Sequence, residues 1–303
     1  MSKGFTFSKG SWLPGFIALG ITWGSSFLFI KWGLQSLTPV GVAFMRCSIG
    51  ALALLGYSLA TKTKLPNQWK HWFHLAVVAF LLNAGPGYLF AVSETHVSSV
   101  MAGLLNATTP LMTVVVIAFG FREQKINRDQ MIGVIVGFLG IAILTGALTG
   151  LHGNDGKAIA GLLLATFLYG ISAPYSKRFV AQLDYSSTAL AAGQIISAAV
   201  LLAPFALLGG ITKASWTAQS VWGMLALGAV GTGFAYIWHF RNVRLAGSAV
   251  ASTVTYITPV VATVLGIWLL NEPFKISQLF GGALVLLSAA LVQKKIVLSK
   301  RAA

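Results

Sequence analysis

Almost the whole chain consists of apolar runs of about 20 residues joined by short, mostly basic loops. A helix of that length crosses the hydrocarbon core of a bilayer, about 30 Å thick. Hydrophobic residues make up 56% of the 303 positions and charged residues 9%, where a soluble domain carries about 25% charged residues. The runs are continuous, not alternating, and too long for strands, so they predict helices and not a barrel. Ten are expected, at 11–33, 39–60, 71–91, 97–119, 131–149, 157–178, 186–208, 219–240, 247–270 and 276–297. The expected class is therefore an all-α membrane protein with ten transmembrane helices and no separate soluble domain. The first run lacks a small-residue cleavage signature and reads as a true span, not a signal peptide. Cys47 is the single cysteine, so no disulfide framework is expected.

The net charge of +15 invites a nucleic-acid partner, but the positions of the 21 basic residues argue against one. With the loops assigned alternately to the two sides, sixteen fall on one side and four on the other (Lys31, Lys157, Lys213 and Lys275), with Arg46 inside a span. Basic residues concentrate in cytoplasmic loops. The expected partner is a lipid bilayer, the expected location a cytoplasmic (inner) membrane, and both termini are expected in the cytoplasm. Nothing in the sequence asks for more than a monomer.

The chain also repeats itself. Trp23-Gly24-x-Ser26 with Lys31 returns as Tyr169-Gly170-x-Ser172 with Lys177. Gly87-Tyr88-Leu89-Phe90 returns as Gly233-Phe234-Ala235-Tyr236, Thr109-Pro110 and Glu123 as Thr258-Pro259 and Glu272, and Gln130-x-x-Gly133 as Gln278-x-x-Gly281. The offset is 146 to 149 positions throughout. The copies are expected at 11–149 and 157–297, with five helices each. An odd number of spans forces the second copy to enter the membrane from the opposite side. Inverted repeats of this kind provide two near-equivalent packings, one open to each side, which is a physical route to alternating access.

Trp23-Gly24-Ser25-Ser26 with Lys31, then Pro39, Arg46, and Pro110 with Glu123, together with Pro259, Glu272 and Gln278 in the second copy, resemble the EamA-type domain of the drug/metabolite transporter superfamily. The resemblance runs nearly end to end. It implies a ten-helix transporter with a central cavity between the halves, and many bacterial members export amino acids or related metabolites. The second copy departs at Tyr169, at Gln194 near the place of Arg46, and in lacking a proline equivalent to Pro39.

Polar groups inside a bilayer are costly and mark function or a specific partner. Arg46 lies about 10 Å along the second helix from Pro39. It reads either as an anchor for a substrate carboxylate or phosphate, or as the partner of carbonyls at a neighbouring helix end. Trp23 and Tyr169, with Ser26 and Ser172, read as cavity lining, or else as neighbours of the packing glycines 24 and 170. Asn106, Thr109 and Pro110, and Tyr256, Thr258 and Pro259, interrupt the fourth and ninth helices in both copies, as a site wall or as threonine-capped kinks. Asn83, Pro86, Gly87 and Tyr88 in the third helix are answered by Gly231, Gly233 and Tyr236 in the eighth, a hinge or a wall. All six acidic residues fall at helix ends or in loops, which argues against a buried carboxylate and leaves His239 as the candidate proton relay. Glu123 and Glu272 are expected to serve the starts of the fifth and tenth helices, or to pair with Arg122 and Lys275.

The expected function is a secondary transporter that moves a small metabolite, an amino acid or related compound, outward across the membrane. A passive channel or a membrane scaffold is the alternative. A membrane enzyme fits least, since it needs clustered nucleophiles, ligands or paired carboxylates. His71 and His74, three apart without an acidic neighbour, make a poor zinc site. No metal and no cofactor is expected.

Overall fold

The computed structural model describes residues 12–118, 127–147, 155–246 and 252–293. Among these, the spans are α1 (Leu13–Gly33), α2 (Pro39–Ala60), α3 (Trp69–Ser93), α4 (Ser99–Val116), α5 (Arg128–Thr145), α6 (Gly156–Phe179), α7 (Ser187–Gly209), α8 (Ala218–Leu245) and α9 (Thr253–Leu270). These nine are long and apolar enough to cross a membrane, and a shorter apolar helix, α10 (Ile276–Val292), follows. Expected bounds at 11, 119, 149, 247 and 297 lie outside the described residues, as do Arg122 and Glu123.

The helix starts follow local chemistry. Thr38, Ser98 and Ser186 each accept a hydrogen bond from the backbone N–H three residues on, at the starts of α2, α4 and α7. The repeated glutamines do one job twice: Gln130 Oε1 accepts from Asn127 N, and Gln278 Oε1 from Lys275 N, each closing the first turn of its helix. Asn127 thereby starts α5 three residues before the expected 131.

The packing has the symmetry of the repeat. α1 packs on α9 as α6 packs on α4; α2 packs on α8 as α7 packs on α3; α2 meets α7 and α5 meets α10 across the axis. The fold is thus an all-helical two-repeat bundle. The repeated glycines explain the closest crossings. A Cβ at Gly24 would fall 2.8 Å from Thr258 O, and one at Gly170 3.0 Å from Met112 O. Between α5 and α10, a Cβ at Gly281 would come within 2.4 Å of Leu144 N, and Ser288 Oγ donates to Gly133 O at 2.7 Å. In lipid, association rests on such close backbone approach. Large apolar side chains such as Phe73, Met131, Ile135, Phe138, Phe205 and Phe280 cover the outer surface; a bilayer, not water, suits that surface.

At the end carrying the α1–α2 and α7–α8 connections, the two halves are tied through their backbones. Thr38 N donates to Ile211 O at 3.0 Å, Lys213 N to Ser36 O at 2.9 Å, and Ser36 Oγ bonds Ser215 O and Ser220 Oγ. A Cβ at Gly41 would lie 2.1 Å from Ile211 O, so only glycine permits this closure. The symmetry-related meeting at the opposite end, between the α2–α3 and α6–α7 connections, is made by side chains: Tyr185 Oη donates to Asn67 Oδ1 and bonds His71 Nδ1.

Candidate functional site

Among the described residues, the helical ladders of α3 and α8 slip mid-way to i→i+5 bonding, at Phe80–Ala84 and Ala226–Phe234. Such π segments are rare and concentrate at functional sites, because the extra residue per turn frees backbone groups and re-aims side chains. They occupy corresponding places in the two copies, where Asn83, Pro86, Gly87, Gly231 and Gly233 mark the sequence. Pro86 offers no N–H to Leu82 O; Tyr236 Oη, reaching across from α8, donates to that carbonyl at 3.3 Å.

Around these segments a polar cluster forms from α2, α3, α7 and α8. Arg46 Nε donates to Thr232 Oγ1 at 3.1 Å, and Thr232 Oγ1 donates to Leu227 O at 2.8 Å inside the π segment. The guanidinium is thus fastened by one edge, while Nη1 and Nη2 have no hydrogen-bond partner among the described residues. It runs past Gly87, where a Cβ would sit 4.0 Å from Nη1. Gln194 Nε2 donates to Asn83 Oδ1 at 2.6 Å. Asn83 Nδ2 and Gln194 Oε1 are buried and unpartnered, one donor and one acceptor left over. Buried polar groups without partners are uncommon and each asks for an explanation.

An aromatic wall adjoins them. Trp23 lies 5.7 Å from Tyr236 and 5.5 Å from His239, centroid to centroid, and His239 Nδ1 is buried without a partner. Ser26 comes close to Gly231, 3.3 Å from where its Cβ would stand, but its hydroxyl is committed to Thr22 O in its own helix. Tyr169 stacks on Phe90 at 6.1 Å and Phe90 meets Phe27 edge-on at 5.5 Å, in the apolar core beside the cluster. Ser172 is buried within α6.

The proline breaks of α4 and α9 are built differently. Pro110 cannot donate to Asn106 O, and Thr109 Oγ1 does so instead, at 2.8 Å. Pro259 cannot donate to Thr255 O, and Thr258 Oγ1 points to it at 3.5 Å. The repeated Thr-Pro pair is a self-sealing kink. Thr108 Oγ1 donates to Thr166 Oγ1 of α6, Thr258 O abuts Gly24 of α1, and Tyr256 Oη donates to Gln293 Oε1. These breaks are buttressed by α6, α1 and the α10 end, not by the helices that make the polar cluster. Tyr88, 42% exposed, also stands apart from it.

Two other expectations are corrected. Glu272 serves neither the start of α10 nor Lys275: its carboxylate accepts from Ser99 N (2.8 Å), Ser99 Oγ (2.9 Å) and Val100 N (3.0 Å), crossing to the other half to cap α4. Negative charge at a helix N-terminus is favourable there. Glu94 stands at a helix end, as read, yet is only 1% exposed. Gln194 was noted only as the counterpart of Arg46, and Thr232 and the carbonyl of Leu82 were missed as site groups. A scan for polar side chains inside apolar runs finds the first two; no local signal finds the third. His71 and His74 bond Tyr185 and Tyr175 through Nδ1.

A helical membrane protein of two packed repeats, with unpartnered polar groups at paired mid-span irregularities, has the build of a multi-pass transporter. The chain belongs to the EamA-like transporter family, whose model matches residues 10–146 and 156–293. It is similar to the uncharacterized inner membrane transporter YedA of Escherichia coli (strain K12), 30% identical over 275 residues covering 88% of this chain and 86% of the relative. The uncharacterized transporter YoaV of Bacillus subtilis (strain 168) is 26% identical, covering 89% and 92%. A solved structure described as "Crystal structure of protein" shares the fold at 21% identity, with a TM-score of 0.64 over 94% of this chain and 98% of that one.

Proposed function

We propose that the protein is a secondary transporter of the cytoplasmic membrane that exports a small amino acid or closely related zwitterion by alternating access. The observation that carries this reading is the Arg46 guanidinium, held by Nε alone to Thr232 of the α8 π segment, with Nη1 and Nη2 left over near Gly87 of α3. A guanidinium fork matches a carboxylate with two parallel bonds. Gln194 Oε1 is an acceptor suited to an ammonium, and Asn83 Nδ2 a further donor. Trp23, Tyr236 and His239 supply a wall for an apolar or aromatic side chain.

The unequal ties at the two ends support a resting state closed by the α1–α2 and α7–α8 connections. By the distribution of basic residues that end faces outward, and both termini face the cytoplasm. Substrate then enters from the cytoplasm, bonds Arg46 between the π segments, and leaves when the halves rock and the Ser36, Thr38 and Lys213 bonds break.

The test is efflux of radiolabelled amino acids, singly, from proteoliposomes holding the full chain. At least one zwitterion is expected to move faster than through protein-free liposomes. Arg46→Gln should cut that flux at least tenfold at unchanged protein yield, and Arg46→Lys, which keeps charge but not the fork, should restore only part of it. Full flux in Arg46→Gln refutes the site; no flux of any amino acid refutes the substrate class.

A further inference from the structure

Glu94 closes α3 at the end of the bundle where Lys31, Lys157, Lys213 and Lys275 lie, and its side chain is 1% exposed with both carboxylate oxygens unpartnered. A buried carboxylate ordinarily holds a hydrogen bond or an ion pair, because removing its charge from water is costly. The nearby charges are spent elsewhere. From α1, the Lys31 ammonium donates to the backbone carbonyls of Glu94 (2.6 Å) and Val97 (2.7 Å). From the α9–α10 connection, Glu272 gives both its oxygens to the start of α4. From α2, Arg46 is tied to Thr232. At the start of α6, Asp155 faces His96 at 3.4 Å, a solvated pair, and Lys157 is exposed. α4 brings no titratable side chain over its described length. Burial raises the Glu94 carboxyl well above the usual carboxylate range; Lys31 and Arg46 oppose the rise, and Glu272 adds to it.

We propose that Glu94 is a proton-binding site that controls this end of the transporter: it holds a proton while the end is closed around it and releases that proton to water when the end opens. The ligand is the proton itself, and the site is distinct from the Arg46 cluster. The direction follows from linkage. The closed state binds more protons at Glu94 than any state in which the group is hydrated, so closure is favoured as pH falls and opening as pH rises. Under the proposed topology, the pH of the outer solution sets how readily substrate is released. The proposal concerns the motion of this end and stands whatever the substrate proves to be.

Two measurements on the full chain in lipid nanodiscs test it. In infrared spectra at neutral pH, wild type should show the carbonyl stretch of a protonated carboxylic acid, and Glu94→Gln should lack it. For the motion, spin labels are placed at Thr95→Cys and Phe274→Cys, both exposed, in a Cys47→Ala background. The distance between them should lengthen as pH is raised from mildly acidic to mildly alkaline, while Glu94→Gln, a neutral isostere of the protonated acid, should stay at the short distance throughout. Retained thermal stability of Glu94→Gln at acidic pH separates this result from misfolding. A Glu94→Gln protein that keeps the wild-type pH response, or a wild type with no protonated carboxyl band, overturns the proposal.

Discussion

Gly281→Ala tests the account of the bundle at its tightest seam. The new Cβ would lie 2.4 Å from Leu144 N, 2.6 Å from Leu144 Cα and 2.7 Å from Leu144 Cβ, two of them backbone atoms that no rotamer change can move aside. Contact becomes ordinary only at 3.4 Å, so α10 must retreat from α5 by about 1 Å. That retreat loosens the crossing elsewhere, at Gly133 against Leu291, Gly140 against Val285, and the bond from Ser288 Oγ to Gly133 O. A radial gap of about 0.5–1 Å forfeits a quarter to a half of each van der Waals well. Overpacking of this kind costs about 1–3 kcal/mol, and a backbone clash belongs at the upper end. The shift is roughly 2–4 °C per kcal/mol for about 150–250 residues and smaller for a chain of 303, so the midpoint should fall by about 3–6 °C. The assay is thermal unfolding of the purified protein in detergent, followed by tryptophan fluorescence. Gly56→Ala is the control, because a Cβ there meets nothing within 4 Å, and it should leave the midpoint unchanged or slightly raised. A Gly281→Ala midpoint equal to that of the control would refute the claim that backbone approach holds α5 to α10.

Two further outcomes follow from hydroxyl and carboxylate bonds. Thr109→Val removes the donor that replaces the N–H missing at Pro110 and should destabilise by about 1 kcal/mol, whereas Thr109→Ser keeps the bond to Asn106 O and should match wild type; the same melting assay reads both. Glu272→Ala strips three acceptor bonds from the first turn of α4 and should cost about 2 kcal/mol or more, visible as faster hydrogen exchange of the Ser99 and Val100 amides.

How far each feature was legible depended on the range of the bond that makes it. The capping glutamines at 130 and 278 and the Thr-Pro kinks act within four residues, so their spacing announced them twice, once per copy. The kinks were open to two readings, a site wall or threonine-capped kinks, and the hydrogen bond from Thr109 to Asn106 O is that of a capped kink. The irregularities in α3 and α8 were visible as glycine, proline and polar residues inside apolar runs. Their π geometry was not, and neither were the bonds that Tyr236 and Arg46 make to them from other helices. Glu94 is the sharpest divergence. A carboxylate at a helix end usually means solvent, and nothing near it in the chain marks Lys31 and Glu272 as its neighbours.

Composition, the spacing of apolar runs, the placement of basic residues and the internal repeat determined by themselves a helical membrane protein of two repeats, and the ordered motifs determined its kinship. These depend on local periodicity and on transfer free energy, which a linear chain displays. Only the tertiary structure decided which side chains meet. The spans are apolar on every side, so no polar stripe marks the face each helix turns to its neighbours. The rotation of each helix is set by small-residue contacts with other helices, and that rotation pairs Asn83 with Gln194, carries Glu272 across to Ser99, and buries Glu94.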